Sequence, residues 1–168
     1  MSLFQSKTEQ VQRGMYAADS IQAADIAAGA VDEAALAVPK IAVLTETHAA
    51  STFTDGGSTA GTKTMTGSIP AGAIILGTKV LVPAGFAGDT TAALTIGDGA
   101  GDPDRYNTST VNIFTTAATG VQSGIPSGTK LVTAAEQPVL TVTSSSDATL
   151  FIAGAGSVTV SIYYIATV

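Results

Sequence analysis

The chain has 168 residues, of which only 12% are charged and 5% aromatic while 45% are hydrophobic; an ordinary soluble domain carries roughly 25% charge. That length suffices for one domain with a buried core, and a formal charge of -6 leaves no basic stripe for nucleic acid. No cysteine and one histidine, His48, exclude a disulfide framework, a thiol nucleophile, a cysteine zinc site and a His-rich metal centre within one chain. The mean hydropathy of +0.38 is high, yet no run approaches the roughly 18 to 20 apolar residues of a spanning helix, so no membrane partner is expected. Met1 to Lys7 lacks a cationic stretch followed by an apolar one, so no secretory signal is expected.

Residues 1–38 hold a large share of the few charges: Lys7, Glu9, Arg13, Asp19, Asp25, Asp32 and Glu33. Between Ser20 and Val38 the large apolar residues Ile21, Ile26, Val31 and Leu36 recur every five positions, a spacing that fits neither one long helix nor a strand. Short helical turns fit better, with Ser20 and Asp32 as N-caps, Gly29 as a stop and Pro39 closing the segment. Such a piece has too little apolar surface to fold alone. It reads either as a frayed terminus or as an arm that orders on docking, with Phe4, Ile21, Ile26, Val31 and Leu36 as its anchors. The domain boundary is therefore placed at 38/39.

From Pro39 onward the period switches to two. Ile41, Val43 and Thr45 alternate with Ala42, Leu44 and Glu46, and Ile74, Leu76, Thr78, Val80 and Val82 are expected on one strand face against Ile75, Lys79 and Leu81 on the other. Weaker candidates lie at 62–67 and 130–133, and shorter strands around Leu94, Ile96, Val111 and Ile113. Ile69-Pro70-Ala71-Gly72 and Ile125-Pro126-Ser127-Gly128 read as turns with Pro second and Gly fourth. The runs 139–143, 148–152 and 157–165, joined by short polar or Gly-rich links, predict a closing three-stranded meander. Tyr163 and Tyr164 should put one ring on each face of the last strand. About nine strands with few helical residues predict an all-β fold, a jelly-roll or Greek-key β-sandwich over 39–168.

Chemistry is sparse. Asp98, Asp102 and Asp104 in a Gly-rich loop could hold a hard cation, but the spacing does not match an EF-hand and Arg105 offsets part of the charge. An exposed inter-strand loop explains them as well, so no metal is assigned. His48 reads as a loop histidine, and no Gly-x-Ser-x-Gly elbow is present to pair with it. With Trp absent, a sugar-stacking platform is missing too. No catalytic residue and no cofactor are assigned, and an enzyme is not expected.

The stretch Gly67-Ser68-Ile69-Pro70-Ala71-Gly72-Ala73-Ile74-Ile75, then Val80-Leu81-Val82, Phe86-Ala87-Gly88-Asp89 and Ala93-Leu94-Thr95-Ile96-Gly97 resembles virion proteins of tailed bacteriophages. The segment from Ile21 to Val31 is similar to pieces that recur in phage fibre and decoration proteins. The resemblance covers under a third of the chain. It implies a head decoration (cement) protein or head fibre-like protein on the capsid exterior, a homotrimer seated on the major capsid protein. The alternative it leaves open is a receptor- or glycan-binding module of a fibre or adhesin. A weakly charged, Ala- and Thr-rich surface suits packing against other subunits, because such side chains lose little rotamer freedom on docking.

Overall fold

The computed structural model describes residues 39–90, 92–98, 101–107, 111–113, 122–124, 126 and 131–166. The expected anchors Phe4, Ile21, Ile26, Val31 and Leu36, with the whole arm 1–38, lie outside the described residues, as does most of the turn at 125–128.

Alternating apolar residues give each strand one buried side, and two such sheets close on each other. The first sheet has the order β1 (Lys40–Ala49), β9 (Ser157–Ala166), β4 (Ile74–Ala84), β7 (Gln122–Gly124). The second has the order β2 (Thr54–Asp55), β3 (Ala60–Thr64), β8 (Val139–Ser144), β5 (Ala92–Gly97), β6 (Val111–Asn112). Every pairing is antiparallel. Val80, Val82, Val158, Val160 and Ile162 from the first sheet meet Leu94, Ile96, Leu140 and Val142 from the second in a single buried cluster, each worth about 1.5–3 kcal/mol of burial. The fold is thus the all-β sandwich that the alternation predicts. At one end Phe53, Phe86 and Phe151 pack ring against ring at 5.8–5.9 Å between centroids, within the range of favourable aromatic pairs.

Four expectations need correction. Residues 148–152 form not a strand but a short helix, α1 (Ala148–Ile152). Asp147 caps it by accepting from the Thr149 backbone N–H at 2.8 Å, and Ala148 and Phe151 are buried while Leu150 is exposed, a three-residue repeat that a helix satisfies and a strand does not. Consequently β8 and β9 do not form a meander: α1 carries the chain from the second sheet to the first. In β4 a bulge between Ile75 and Gly77 shifts the register, so Ile75 joins Thr78, Val80 and Val82 inside while Ile74 and Leu76 stay exposed. The turn before β4 sits one residue later than expected. The Ala73 N–H donates to the Pro70 carbonyl, putting Gly72 at the third turn position with φ 83°, where a type II turn needs a residue free to adopt positive φ.

Candidate interaction surface

Residues paired across β1, β9 and β4 share a side of the sheet, so the registers define its outer face. Ile41 lies opposite Ile165, Val43 opposite Tyr163, Thr45 opposite Ser161 and Thr47 opposite Thr159; on the far side of β9, Ile74 lies opposite Ile165 and Lys79 opposite Ser161. One half of the face is hence apolar and the other carries hydroxyls. The hydroxyl half bonds to itself, Thr45 Oγ1 donating to Ser161 Oγ at 2.9 Å and Thr47 pairing with Thr159 at 2.8 Å. The apolar half stands in water: Ile41 is 69% exposed, Val43 52% and Leu131 47%, with Ile74 and Leu76 beside them. Isolated exposed aliphatics are ordinary on a protein surface, but a contiguous strip across neighbouring strands is a candidate interaction surface. Tyr163 points to this face and Tyr164 packs against the core, the division expected for successive strand residues.

The far rim of the strip is fixed from below. Leu131 bridges to Ile74, and its carbonyl accepts from Arg105 Nη2 at 3.0 Å. Arg105 Nη1 lies 3.1 Å from Asp98 and 2.9 Å from Glu136, its guanidinium sits 5.5 Å from the centre of the Tyr106 ring, and the fully buried Tyr106 donates its hydroxyl to Glu136. Burial first, and then the hydrogen bond to Glu136, push the Tyr106 hydroxyl well above the usual tyrosine range, so it stays a donor at any ordinary pH. In the loop that composition offers to a cation, the Asp98 carboxylate accepts from Arg105. Among the described residues no cluster of three His, Asp or Glu side chains could hold a metal ion.

His48 is a strand residue, not the loop residue expected, and is only 5% exposed on the inner side of β1. Its Nε2 lies 3.2 Å from Glu46 without the alignment of a hydrogen bond. The Glu46 oxygens instead accept from the backbone N–H groups of Thr66 and Gly67, at 3.0 and 2.6 Å. Burial lowers the His48 pKa, the Glu46 charge opposing it, so the ring is neutral near pH 7. Neither residue faces a hydroxyl nucleophile among the hydrogen bonds of the described residues, and Glu46 ties β1 to Thr66 and Gly67.

A third polar cluster, which sequence reasoning missed, closes the opposite end. Asp89 accepts from the hydroxyls of Ser144, Ser145 and Ser146, from the Ser146 N–H at 2.9 Å and from the Thr90 N–H at 2.6 Å. These donors, the Ser144 hydroxyl first, hold the Asp89 carboxyl well below the usual carboxylate range. Three consecutive serines were a legible signal of a dense donor row. Only the fold shows which acid receives it.

No family model matches the chain, and no curated protein matches it. Among solved structures it is similar to a chain of the cyanophage Pam1 capsid asymmetric unit, with a TM-score of 0.55 and 22% identity over 76% of this chain and 85% of that one. The likeness is one of fold. A chain of the acidic stable capsid of Helicobacter pylori bacteriophage KHP30 is also similar, with a TM-score of 0.43 and 10% identity over 74% of this chain and 95% of that one. The sequence pointed to the outer-face residues as strand formers; it did not distinguish them from core, because Ile41 and Val43 are the same residue types that fill the interior.

Proposed function

We propose that the chain is a structural protein of a phage virion, a homotrimeric decoration (cement) protein that sits on the exterior of the assembled shell, contacts the major capsid protein and stabilises the head. The observation that carries this reading is the fold shared with a chain of the Pam1 capsid unit over most of both lengths. The exposed apolar strip supports it, since a protein that works by packing against subunits needs surface rather than a reaction centre. A ligand that binds the assembled shell and not its loose parts shifts the equilibrium toward the shell, and the gain grows with occupancy. In this reading residues 1–38 act as an arm whose Phe4, Ile21, Ile26, Val31 and Leu36 dock on the shell.

The test mixes the purified full chain with shells stripped of it, then reads occupancy by sedimentation and shell melting by light scattering. Bound protein and a higher shell melting temperature are expected. Replacing Ile21, Ile26, Val31 and Leu36 by Ser should abolish binding while leaving the sandwich's own melting unchanged. Wild-type occupancy by that variant removes the docking role of the arm, and no binding by the wild-type chain removes the reading as a whole.

A further inference from the structure

We propose that the outer face of the β1–β9–β4 sheet, centred on Ile41, Val43, Ile74, Leu76 and Leu131, is where a second copy of this chain docks. The inference rests on the self-association contained in the reading above and assigns it a surface.

Charge placement argues for a copy of the same chain as the occupant. The protein is acidic, with a formal charge of -6, so two copies repel wherever their carboxylates face each other within a Debye length of about 8–10 Å. No carboxylate sits at an outward position of β1, β9 or β4. Glu46 points to the opposite side and is bonded to Thr66 and Gly67. Asp98 and Glu136 lie beside the Leu131 rim but are both paired with Arg105; Asp55 is on β2, and Asp89, Asp102, Asp104 and Asp147 are in other loops. Lys79 is the one formally charged residue at an outward position of these three strands. Among the described residues this face carries no outward carboxylate on its three long strands and holds five of the six exposed large aliphatics, so it is where like chains approach with least repulsion.

Size and rigidity agree. The three long strands β1, β9 and β4, of 10, 10 and 11 residues, present about 14 Å by about 34 Å, a projection on the order of 500 Å² before side-chain relief is counted, against about 800 Å² per partner in a standard specific interface. The strip alone is smaller, and serves as the apolar centre of a contact whose rim is the hydroxyl half. Ile41, Val43 and Ile74 are β-branched and lose little rotamer freedom on docking, and Leu131 is already pinned through its backbone to Arg105 and Ile74. Among the described residues β1 pairs only with β9.

The experiment measures the mass of the full chain in solution by light scattering across a range of concentrations. It compares wild type, the double variant Ile41→Glu with Val43→Glu, and a control, Thr143→Glu, at an exposed position of β8 in the other sheet. Wild type and control should give a multiple of 16.6 kDa, and the double variant the mass of one chain with an unchanged thermal melt. If the double variant loses its fold, Ile41→Thr with Val43→Thr replaces it, and assembly should then require at least about tenfold higher concentration. A double variant that keeps the wild-type mass overturns the assignment of the face while leaving self-association intact. It does so equally if it no longer occupies shells, since the occupant is then the shell. A wild-type chain that has the mass of one copy at every concentration overturns self-association and the assignment together.

Discussion

On the inner side of the first sheet Val80, Val158, Val160 and Ile162 are shut from water, whereas on the outer side of the same sheet Ile41, Val43 and Ile74 stand in it. The residue types are nearly the same. What differs is the covering layer: the second sheet lies over the inner side, and nothing among the described residues lies over the outer one. An inner aliphatic therefore contributes to folding, while an outer one contributes to whatever association covers it. The high hydropathy and low charge of the chain thus divide into a folding part and a part available for assembly.

The contrast is sharpest in stability. Phe151→Ala, which opens the three-ring cluster, should cost about 3–5 kcal/mol and Ile162→Ala about 2–5 kcal/mol in urea unfolding, whereas Ile41→Ala should stay within about 0.5 kcal/mol. Equal losses at Ile162 and Ile41 would break the comparison. Next in size is Tyr106→Phe. Loss of its hydroxyl deprives Glu136 of a donor and should cost about 1–2 kcal/mol, with faster exchange of the Val132 and Glu136 amides, which bond to the Ala73 and Ile69 carbonyls. Unchanged exchange there would show that the Arg105 network does not hold the rim.

The smallest effect is the most selective. The Asp89 carboxyl lies below its ordinary value in the folded chain, so the stability it contributes is complete above about pH 4, where the unfolded group is ionised, and is lost as pH falls further. Asp89→Asn should lower the melting temperature at pH 7, and the gap to wild type should narrow on acidification below pH 4. A gap independent of pH would mean that the serine row senses the shape of residue 89 and not its charge.

Much of the sandwich was legible because alternation is a local property: β1, β8 and β9 follow from their own residues. The helix α1 was not read, since five residues are too few for a period, and its deciding feature is the cap that Asp147 makes with Thr149. The bulge at Leu76 escaped for a related reason. It inserts one residue near the start of the strand and so exchanges which aliphatics face inward, a choice made by packing across β9. The surface was the least legible part, because Ile41 and Ile162 look alike until the second sheet is placed. The acidic loop was read with the right residues and open chemistry; what sequence did not show is that Arg105 reaches Asp98 and Glu136 at once, a contact with a residue 31 positions away that no spacing reveals.

The absence of cysteine from the chain permits a direct measurement of whether another copy covers the outer face. A single thiol is introduced as Ile41→Cys, or as Thr143→Cys on the other sheet, and its labelling rate by a small maleimide is followed as protein concentration rises. With a second copy over the face, the thiol at position 41 reacts several-fold more slowly in concentrated than in dilute protein, while the one at 143 does not change. Equal rates at position 41 over the whole range would contradict that arrangement.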